Sequence, residues 1–261
     1  MNHLIGIGGR RFIFLEKLCY IYYSSASEGD PVVKRLIITS ILLVFAIAGM
    51  PVQAAKKGYG AIICEQAGFT CYKVKQGDTW KKLFPDADAR DVVRRVNRTN
   101  MSLRQGSTIA VPTNLDGLSH FDVSPFPLKM NPTGQKTVIV ELKKLAWGAY
   151  DEEGNLVHWG PASGGQGWCG DVGKPCRTHT GNYSVLNKKD YNCTSSIFPL
   201  PYGGAAMPYC MHYYKAFAMH GSFEVPGYNA SHGCIRMFIN DARWLNYDFS
   251  DYGTQVVVKP Y

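Results

Sequence analysis

Hydrophobic and polar positions follow two different patterns along the chain, and the first pattern covers about residues 71–113. Residues 72–74 alternate as a short strand, and the Gly-Asp-Thr at 77–79 is suited to turn the chain and cap a helix. Valines between 92 and 96 recur at helical spacing, and 108–112 alternate again before ending in proline. The order strand, helix, helix, strand predicts a small α+β module.

From Gln135 onward the pattern becomes that of a β protein. Residues 137–150 alternate, 151–155 (DEEGN) favour a turn, and 156–163 form the second arm of a predicted hairpin. Further strands are predicted at 181–186, 213–221 and 254–260, and one short helix that carries Trp244 and Leu245 is expected to be capped by Asn240-Asp241. The pattern predicts a mainly β, sheet-on-sheet domain.

The N-terminal region has the pattern of a secretory signal at residues 34–54. Lys34 and Arg35 precede an apolar run of 14 residues, and small residues follow where a signal peptidase would cut. The run is short for a membrane span, which needs about 20 residues, so the chain is expected at the membrane only if this segment is retained as an anchor. Residues 1–33 are then either a genuine extension or the product of a mis-set start.

Export changes the interpretation of the eight cysteines. Cys19 precedes the signal, which leaves seven in the mature chain. The simplest assignment is three disulfides, pairing Cys64 with Cys71, Cys169 with Cys176 and Cys193 with Cys210, although six cysteines allow 15 connectivities. Cys234 is left without a partner, which in an oxidising compartment suggests a function for its thiol.

The formal net charge is +8, and the charged residues are scattered rather than clustered. Scattered charge is typical of a solvated surface, and it also allows weak attraction to an anionic cell-wall polymer. Export and the lack of a recognisable nucleic-acid-binding module argue against a nucleic-acid partner.

The stretch 219–237, MHGSFEVPGYNASHGCIRM, brings His220, His232 and Cys234 together in sequence. A buried structural cysteine is disfavoured by the polar, glycine-bearing neighbours. His220, His232 and Cys234 could supply three zinc ligands, but the segment lacks the paired Cys-x-x-Cys or His-x-x-x-His spacing of common zinc sites, so no metal and no other cofactor is expected.

A nucleophilic Cys234 fits these neighbours better. An imidazole that takes the thiol proton would supply a thiolate, and His220 ends an alternating strand from which its ring can reach a loop. The Gly221 carbonyl could fix the tautomer of that ring, and the amides of Gly233 and Cys234 could stabilise an oxyanion. Acyl transfer through a thioester is the reaction that this set favours.

The same stretch resembles the signature of the L,D-transpeptidases, in which an upstream His precedes Ser/Thr-His-Gly-Cys. The resemblance spans about residues 136–260 and includes the Ser-Gly-Gly loop at 163–165 and the segment 178–183. His179 replaces a proline of the family pattern, the spacer is short, and the cysteine-rich insert at 164–176 is extra. The resemblance implies Cys234 as nucleophile and His220 as base, oriented by Gly221. It further implies that the oxyanion site, the loop and the substrate contacts involve Gly233, Ser231, His232 and Arg236.

The first block resembles a LysM module, a family that binds N-acetylglucosamine-containing glycans. Its matching landmarks are Val74, Gly77-Asp78-Thr79, Asn97, Asn100, Leu103, Gly106 and Val111-Pro112.

The expected organisation has five parts. An uncertain extension (1–33) and a signal (34–54) come first. A LysM-like module (64–113), a linker (114–135) and a catalytic domain (136–261) follow. The resemblances imply a periplasmic or cell-envelope enzyme of a bacterium that acts on peptidoglycan stem peptides and holds glycan chains. Such an enzyme would release D-alanine from a tetrapeptide and pass the acyl group to a stem amine or a lipoprotein lysine. Water as acceptor would make it an L,D-carboxypeptidase, and a catalytically silent wall-binding protein is the remaining alternative.

Overall fold

The computed structural model describes residues 56–261, and the predicted extension, the signal segment and Cys19 lie outside them. The first part of the described chain is a βααβ module preceded by a short helix. Its elements are α1 (Tyr59–Ile63), β1 (Phe69–Lys73), α2 (Trp80–Leu83), α3 (Ala87–Val96) and β2 (Thr108–Pro112). Strands β1 and β2 pair antiparallel. The predicted order of strand, helix, helix and strand is therefore present.

Local sequence explains where the helices of this module begin. The Thr79 side chain accepts a hydrogen bond from the Lys82 amide and caps α2, as predicted. Asp86 caps α3 in the same way through the Ala89 amide. The valines of α3 are buried, and the Asn97 amide ties the end of this helix to Ala110 of β2.

The second part is built on one nine-stranded sheet. Its elements are β3 (Thr137–Glu141), β4 (Ala146–Tyr150), β5 (Leu156–Ser163), β8 (Gly181–Ser184), β9 (Asn187–Lys188), β10 (Met211–Tyr214), β11 (Phe217–Gly221), β12 (Ile235–Met237), α4 (Ile239–Trp244) and β13 (Gln255–Val258). The strand order is β8-β13-β3-β4-β5-β12-β11-β10-β9, and β6 (Trp168–Cys169) pairs separately with β7 (Lys174–Pro175).

This sheet curls so that its two ends approach each other. Tyr183 of β8 lies with its ring centroid 5.3 Å from that of Tyr213 and 5.2 Å from that of Tyr214, both on β10. The mainly β class is confirmed. The sheet-on-sheet arrangement needs correction, because the two packed layers are halves of one continuous hydrogen-bonded sheet.

Two predicted strands are each divided by a turn. Residues 137–150 form β3 and β4, joined through a turn in which Leu145 has a φ of +50°. Residues 213–221 contain the end of β10 and all of β11, with Lys215 at a φ of +47°. Neither turn contains a glycine or proline, so the sequence carried no turn signal.

The single predicted helix of this domain is present, but it begins earlier than expected. Phe238 is the N-cap and makes no side-chain capping bond, so the prediction that Asn240-Asp241 cap this helix is wrong. Asp241 lies in the first turn and is buried. A π-helical turn, Leu245–Phe249, continues the helix.

The segment predicted as a linker packs as a strap over the sheet. Phe126 is buried with Tyr150, Leu156 and Trp159. Backbone bonds add to this packing, and one of them joins the Leu156 amide to Leu128 O at 2.8 Å. Residues 56–261 consequently form one compact unit.

A buried seam joins α3 to the sheet, and we define it by Arg95, Arg98, Trp159 and Asp241. Arg95 donates two hydrogen bonds to Asp241, at 2.9 and 2.8 Å, and a third to Trp159 O at 2.9 Å. The Arg98 guanidinium lies over the Trp159 ring, 4.9 Å from its centroid. The seam holds the βααβ module firmly against the β domain.

Three disulfides join Cys64 to Cys71, Cys169 to Cys176 and Cys193 to Cys210, which confirms the pairing proposed from sequence. Such bonds are typical of an oxidising, extracytoplasmic compartment. Within residues 56–261 no helix has the length and apolar character needed to cross a membrane.

Candidate active site

Cys234 and His220 lie on neighbouring strands inside the sheet. Strand β12 runs parallel to β11, with Met219 opposite Ile235 and His220 opposite Arg236. Met219 and Ile235 point into the main hydrophobic core. Because side chains alternate along a strand, His220 and Arg236 occupy the opposite face, and Cys234, directly before β12, lies on that face too. Strand β12 is flanked by β5 and β11, so this segment lies inside the sheet and not at its edge.

His220 is held by one hydrogen bond. Its Nδ1 lies 2.8 Å from the Gly221 carbonyl oxygen, which can only accept, so Nδ1 carries the proton. The ring is 5% exposed, and burial lowers the pKa of His220 to about 4, with a smaller contribution from the charge of Arg236. At neutral pH His220 is therefore an uncharged imidazole with an unprotonated Nε2.

Cys234 is the free cysteine among residues 56–261 and is half-buried. Its Sγ lies 3.9 Å from the Ala216 carbonyl oxygen. Burial raises the pKa of the Cys234 thiol, against the opposing effects of the Ala218 amide and Arg236. The resting site accordingly combines a neutral thiol with a neutral imidazole. It is not a preformed thiolate–imidazolium pair.

The turn before Cys234 is fixed by Ser231. The Ser231 hydroxyl donates to Cys234 O at 2.5 Å and accepts from the Gly233 amide at 3.0 Å. The Ser231 amide in turn donates to Gly164 O at 2.8 Å, which ties the turn to the loop after β5. The Gly233 amide thus already donates to the Ser231 hydroxyl. To contribute to an oxyanion site as predicted, it would have to donate to the oxyanion as well.

Gly233 cannot carry a side chain in this conformation. Its φ is +125°, and a Cβ atom would come within 2.4 Å of the Phe217 ring. Phe217 packs edge-on against His179, with ring centroids 4.7 Å apart, and lies near Tyr214. These three rings form a wall beside the turn. His179 is the residue that departs from the family pattern, whereas Phe217 and Tyr214 were not predicted, because aromatic residues that alternate in a strand are equally typical of a buried core.

His232 points toward two disulfide-closed loops. Its Nε2 lies 2.9 and 2.8 Å from the two carboxylate oxygens of Asp171, which is in the Cys169–Cys176 loop. Phe198, in the Cys193–Cys210 loop, packs on the same imidazole at 4.3 Å between centroids. Neither contact could be read from sequence, because both partners lie in loops of irregular pattern.

A metal does not fit this cluster. Among the described residues, Cys169, Asp171 and His232 bring potential ligand atoms within 4.8 Å of one another. Cys169 is bonded to Cys176 and offers no thiolate, so a tetrahedral zinc site is not available here.

Arg236 lies opposite His220 in the β11–β12 pairing and is partly exposed. Its Nη1 is 3.5 Å from a carboxylate oxygen of Glu224 and 3.4 Å from the Glu224 carbonyl oxygen. Glu224 is exposed, so this pairing is loose. Arg236 therefore has donors to spare for a substrate carboxylate on the same face as His220 and Cys234.

Comparison with known proteins identifies the class of this fold and site. Residues 135–258 match the model of the YkuD L,D-transpeptidase catalytic domain. This segment is similar to the L,D-transpeptidase catalytic domains, and domains of that family are cysteine-dependent transpeptidases. The βααβ module lies before the matched residues. A search of curated proteins finds no match.

Solved structures of L,D-transpeptidases are among those similar to this chain. One from Xylanimonas cellulosilytica is 22% identical with a TM-score of 0.48, and the match covers 65% of this chain and 78% of that one. One from Mycobacterium smegmatis is 20% identical with a TM-score of 0.40, covering 48% and 59%. One from Mycobacterium tuberculosis is 22% identical with a TM-score of 0.39, covering 48% and 58%.

Proposed function

We propose that the protein is an exported peptidoglycan L,D-transpeptidase that works through a Cys234 thioester. The observation that carries the proposal is the placement of a free thiol and a tautomer-fixed imidazole on one face of the paired β11 and β12 segments, inside the region matched to the catalytic family. The substrate is the tetrapeptide stem of peptidoglycan.

Acylation begins with two neutral groups. As Cys234 Sγ approaches the carbonyl carbon of the third stem residue, its proton passes to Nε2 of His220, and the new S–C bond gives a tetrahedral oxyanion. The C–N bond to D-alanine then breaks, and the proton on Nε2 passes to the departing amine. The products of this half-reaction are a thioester on Cys234 and free D-alanine.

The second half-reaction reverses these roles. An acceptor amine loses a proton to Nε2 and attacks the thioester carbonyl, and collapse of the intermediate returns the proton to the Cys234 sulfur. The low pKa of His220 keeps Nε2 free to accept a proton at both stages. Arg236 binds a carboxylate of the stem, while Ser231 and Gly233 keep the turn that presents Cys234.

The remaining residues supply location and targeting in this proposal. The signal-like segment at 34–54 directs export to the periplasm, where the three disulfides persist. The βααβ module holds glycan chains as a LysM-like domain, a role that its element order and landmark residues support.

Product analysis with a disaccharide-tetrapeptide tests the proposal. A cross-linked dimer together with free D-alanine, absent when Cys234→Ala is used, is the expected result. Tripeptide without dimer would instead identify an L,D-carboxypeptidase, since water would then be the acceptor. If the wild-type chain gave neither product with its thiol shown to be reduced, the proposed activity would be wrong and the wall-binding alternative would replace it.

A further inference from the structure

The chain that follows the catalytic histidine is fixed from the sheet side. The Gly221 amide donates to Pro208 O at 2.8 Å, and the Ser222 amide donates to Met237 O at 2.9 Å. The Ser222 amide and the Gly221 carbonyl belong to one peptide plane. The orientation of the carbonyl that accepts from His220 Nδ1 therefore depends on how Ser222 is held.

The other side of Ser222 is held by the βααβ module. Asn100 lies between α3 and β2, and its Nδ2 donates to the Ser222 carbonyl oxygen at 2.7 Å. Its Oδ1 accepts from the Val225 amide at 2.9 Å, and its own amide donates to Val225 O at 3.1 Å. One residue thus makes three hydrogen bonds across the loop at 222–225.

The module holds Asn100 rigidly enough for these bonds to act as a support. Arg95, five residues earlier and near the end of α3, is fixed to Asp241 and Trp159 through the seam. The Arg94 guanidinium donates to Asn100 O at 3.3 Å. Since Asp241 lies four residues after Met237, Asn100 and the end of β12 are held by the same buried ion pair.

We propose that Asn100 is a positioning residue for His220 and that the βααβ module is part of the catalytic apparatus, in addition to any role in binding the wall. Asn100 holds Ser222, Ser222 sets the Gly221–Ser222 peptide plane, and the Gly221 carbonyl keeps Nδ1 protonated and Nε2 free to accept a proton. The catalytic role of His220 rests on the proposed function, whereas the effect of Asn100 on its tautomer does not.

Asn100→Asp is the most informative variant because it preserves shape. One carboxylate oxygen still accepts from the Val225 amide, but the other cannot donate to Ser222 O and repels it. The control is Asp86→Ala, which removes the cap of α3 in the same module and does not touch the loop at 222–225. Asn100→Ala provides a second variant that lacks the repulsion.

Two measurements distinguish a role of Asn100 in positioning His220 from a role only in stabilising the fold. In wild type, ¹⁵N-histidine NMR is expected to show His220 as a single Nδ1–H tautomer, assigned by its absence in His220→Gln. In Asn100→Asp we expect mixed tautomers and an acylation kcat lowered about 10- to 100-fold with KM changed less than about two-fold. Asp86→Ala should lower the Tm while leaving the tautomer and kcat unchanged.

The inference is overturned if His220 keeps its single tautomer in both Asn100 variants, or if kcat falls equally in Asp86→Ala. An inactive wild-type chain would refute the proposed function instead, and the NMR comparison would still decide whether Asn100 sets the tautomer of His220.

Discussion

The seam and the sheet face that carries His220 and Cys234 both bury ionisable side chains, but the seam stabilises the charged forms and the sheet face the neutral forms. In the seam, Arg95 and Asp241 meet through two hydrogen bonds; burial opposes the charged carboxyl, yet the charge of Arg95 outweighs it and lowers the pKa of Asp241. On the face that carries His220 and Cys234, burial favours the neutral form of each side chain; the charge of Arg236 adds to this effect at His220 and only partly offsets it at Cys234. The charged Arg95–Asp241 pair therefore stabilises the structure, whereas the neutral His220 and Cys234 leave the thiol proton available for transfer to the imidazole.

Replacing the proposed nucleophile should give the largest effect, a loss of activity without a loss of stability. Cys234→Ser is expected to lower turnover of the disaccharide-tetrapeptide by more than about 1,000-fold, because the hydroxyl is a weaker nucleophile than the thiol. The urea midpoint should stay near that of wild type, since the serine occupies the same half-buried position. Activity within ten-fold of wild type would exclude Cys234 as nucleophile.

Breaking the Arg95–Asp241 pair of the seam should instead lower the stability of the fold. Arg95→Met leaves Asp241 buried without its partner, and we expect unfolding to be easier by about 3–5 kcal/mol. Adding Asp241→Leu should recover most of this loss, because the unpaired charge is then removed as well. Urea denaturation of the two variants measures both effects, and an equal loss in the double variant would show that packing dominates the seam.

The pH dependence of thiol reactivity tests the neutral resting state. Because burial raises the pKa of Cys234, the alkylation rate with iodoacetamide should rise with pH and reach its midpoint above the ordinary cysteine value of about 8.5. Arg236→Gln should move this midpoint higher, since it removes a positive charge that favours the thiolate. A midpoint below pH 7 would instead indicate a preformed thiolate.

The same reasoning gives the sign of an acid effect on stability. The pKa of His220 in the folded protein is about 4, below the ordinary value of about 6.5. The contribution of the neutral imidazole to folding stability is therefore fully present above pH 6.5 and is lost as the pH falls through 4. Urea midpoints measured from pH 7 to 4 should therefore fall less steeply in His220→Gln. Parallel curves for the two proteins would contradict the depressed pKa.

The contact between His232 and Asp171 should give the smallest effect. Asp171 is exposed, so Asp171→Asn is expected to change stability by less than about 1 kcal/mol. Turnover should change only a few-fold if His232 shapes the groove through this loop. Urea denaturation and steady-state kinetics decide the matter, and a loss as large as that of Cys234→Ser would place Asp171 in the chemistry itself.

Sequence patterns anticipated the parts of this molecule that depend on neighbours along the chain. The capping of α2 by Thr79 and the strand at 156–163 follow from local sequence, and the three disulfides have the simplest of the possible pairings, in which each cysteine bonds to a neighbouring cysteine in the chain. The turns at Leu145 and Lys215 were missed because neither position has a residue that favours positive φ.

Contacts between distant residues could not be predicted in this way. Arg95 and Asp241 are 146 positions apart, and Asp241 resembled an ordinary helix cap. Asn100 resembled a landmark of its own module, and only the folded chain shows it bonded to Ser222. The motif therefore indicated the groups that we propose for the chemistry, whereas the packing determined what holds them.

The most direct test of the central claim is the intact mass of the protein after acid quenching during reaction with the disaccharide-tetrapeptide. We predict a mass increase equal to the substrate less D-alanine, located on Cys234 by peptide mapping and absent in Cys234→Ala. Turnover without any adduct on Cys234, or an adduct on another residue, would contradict the account.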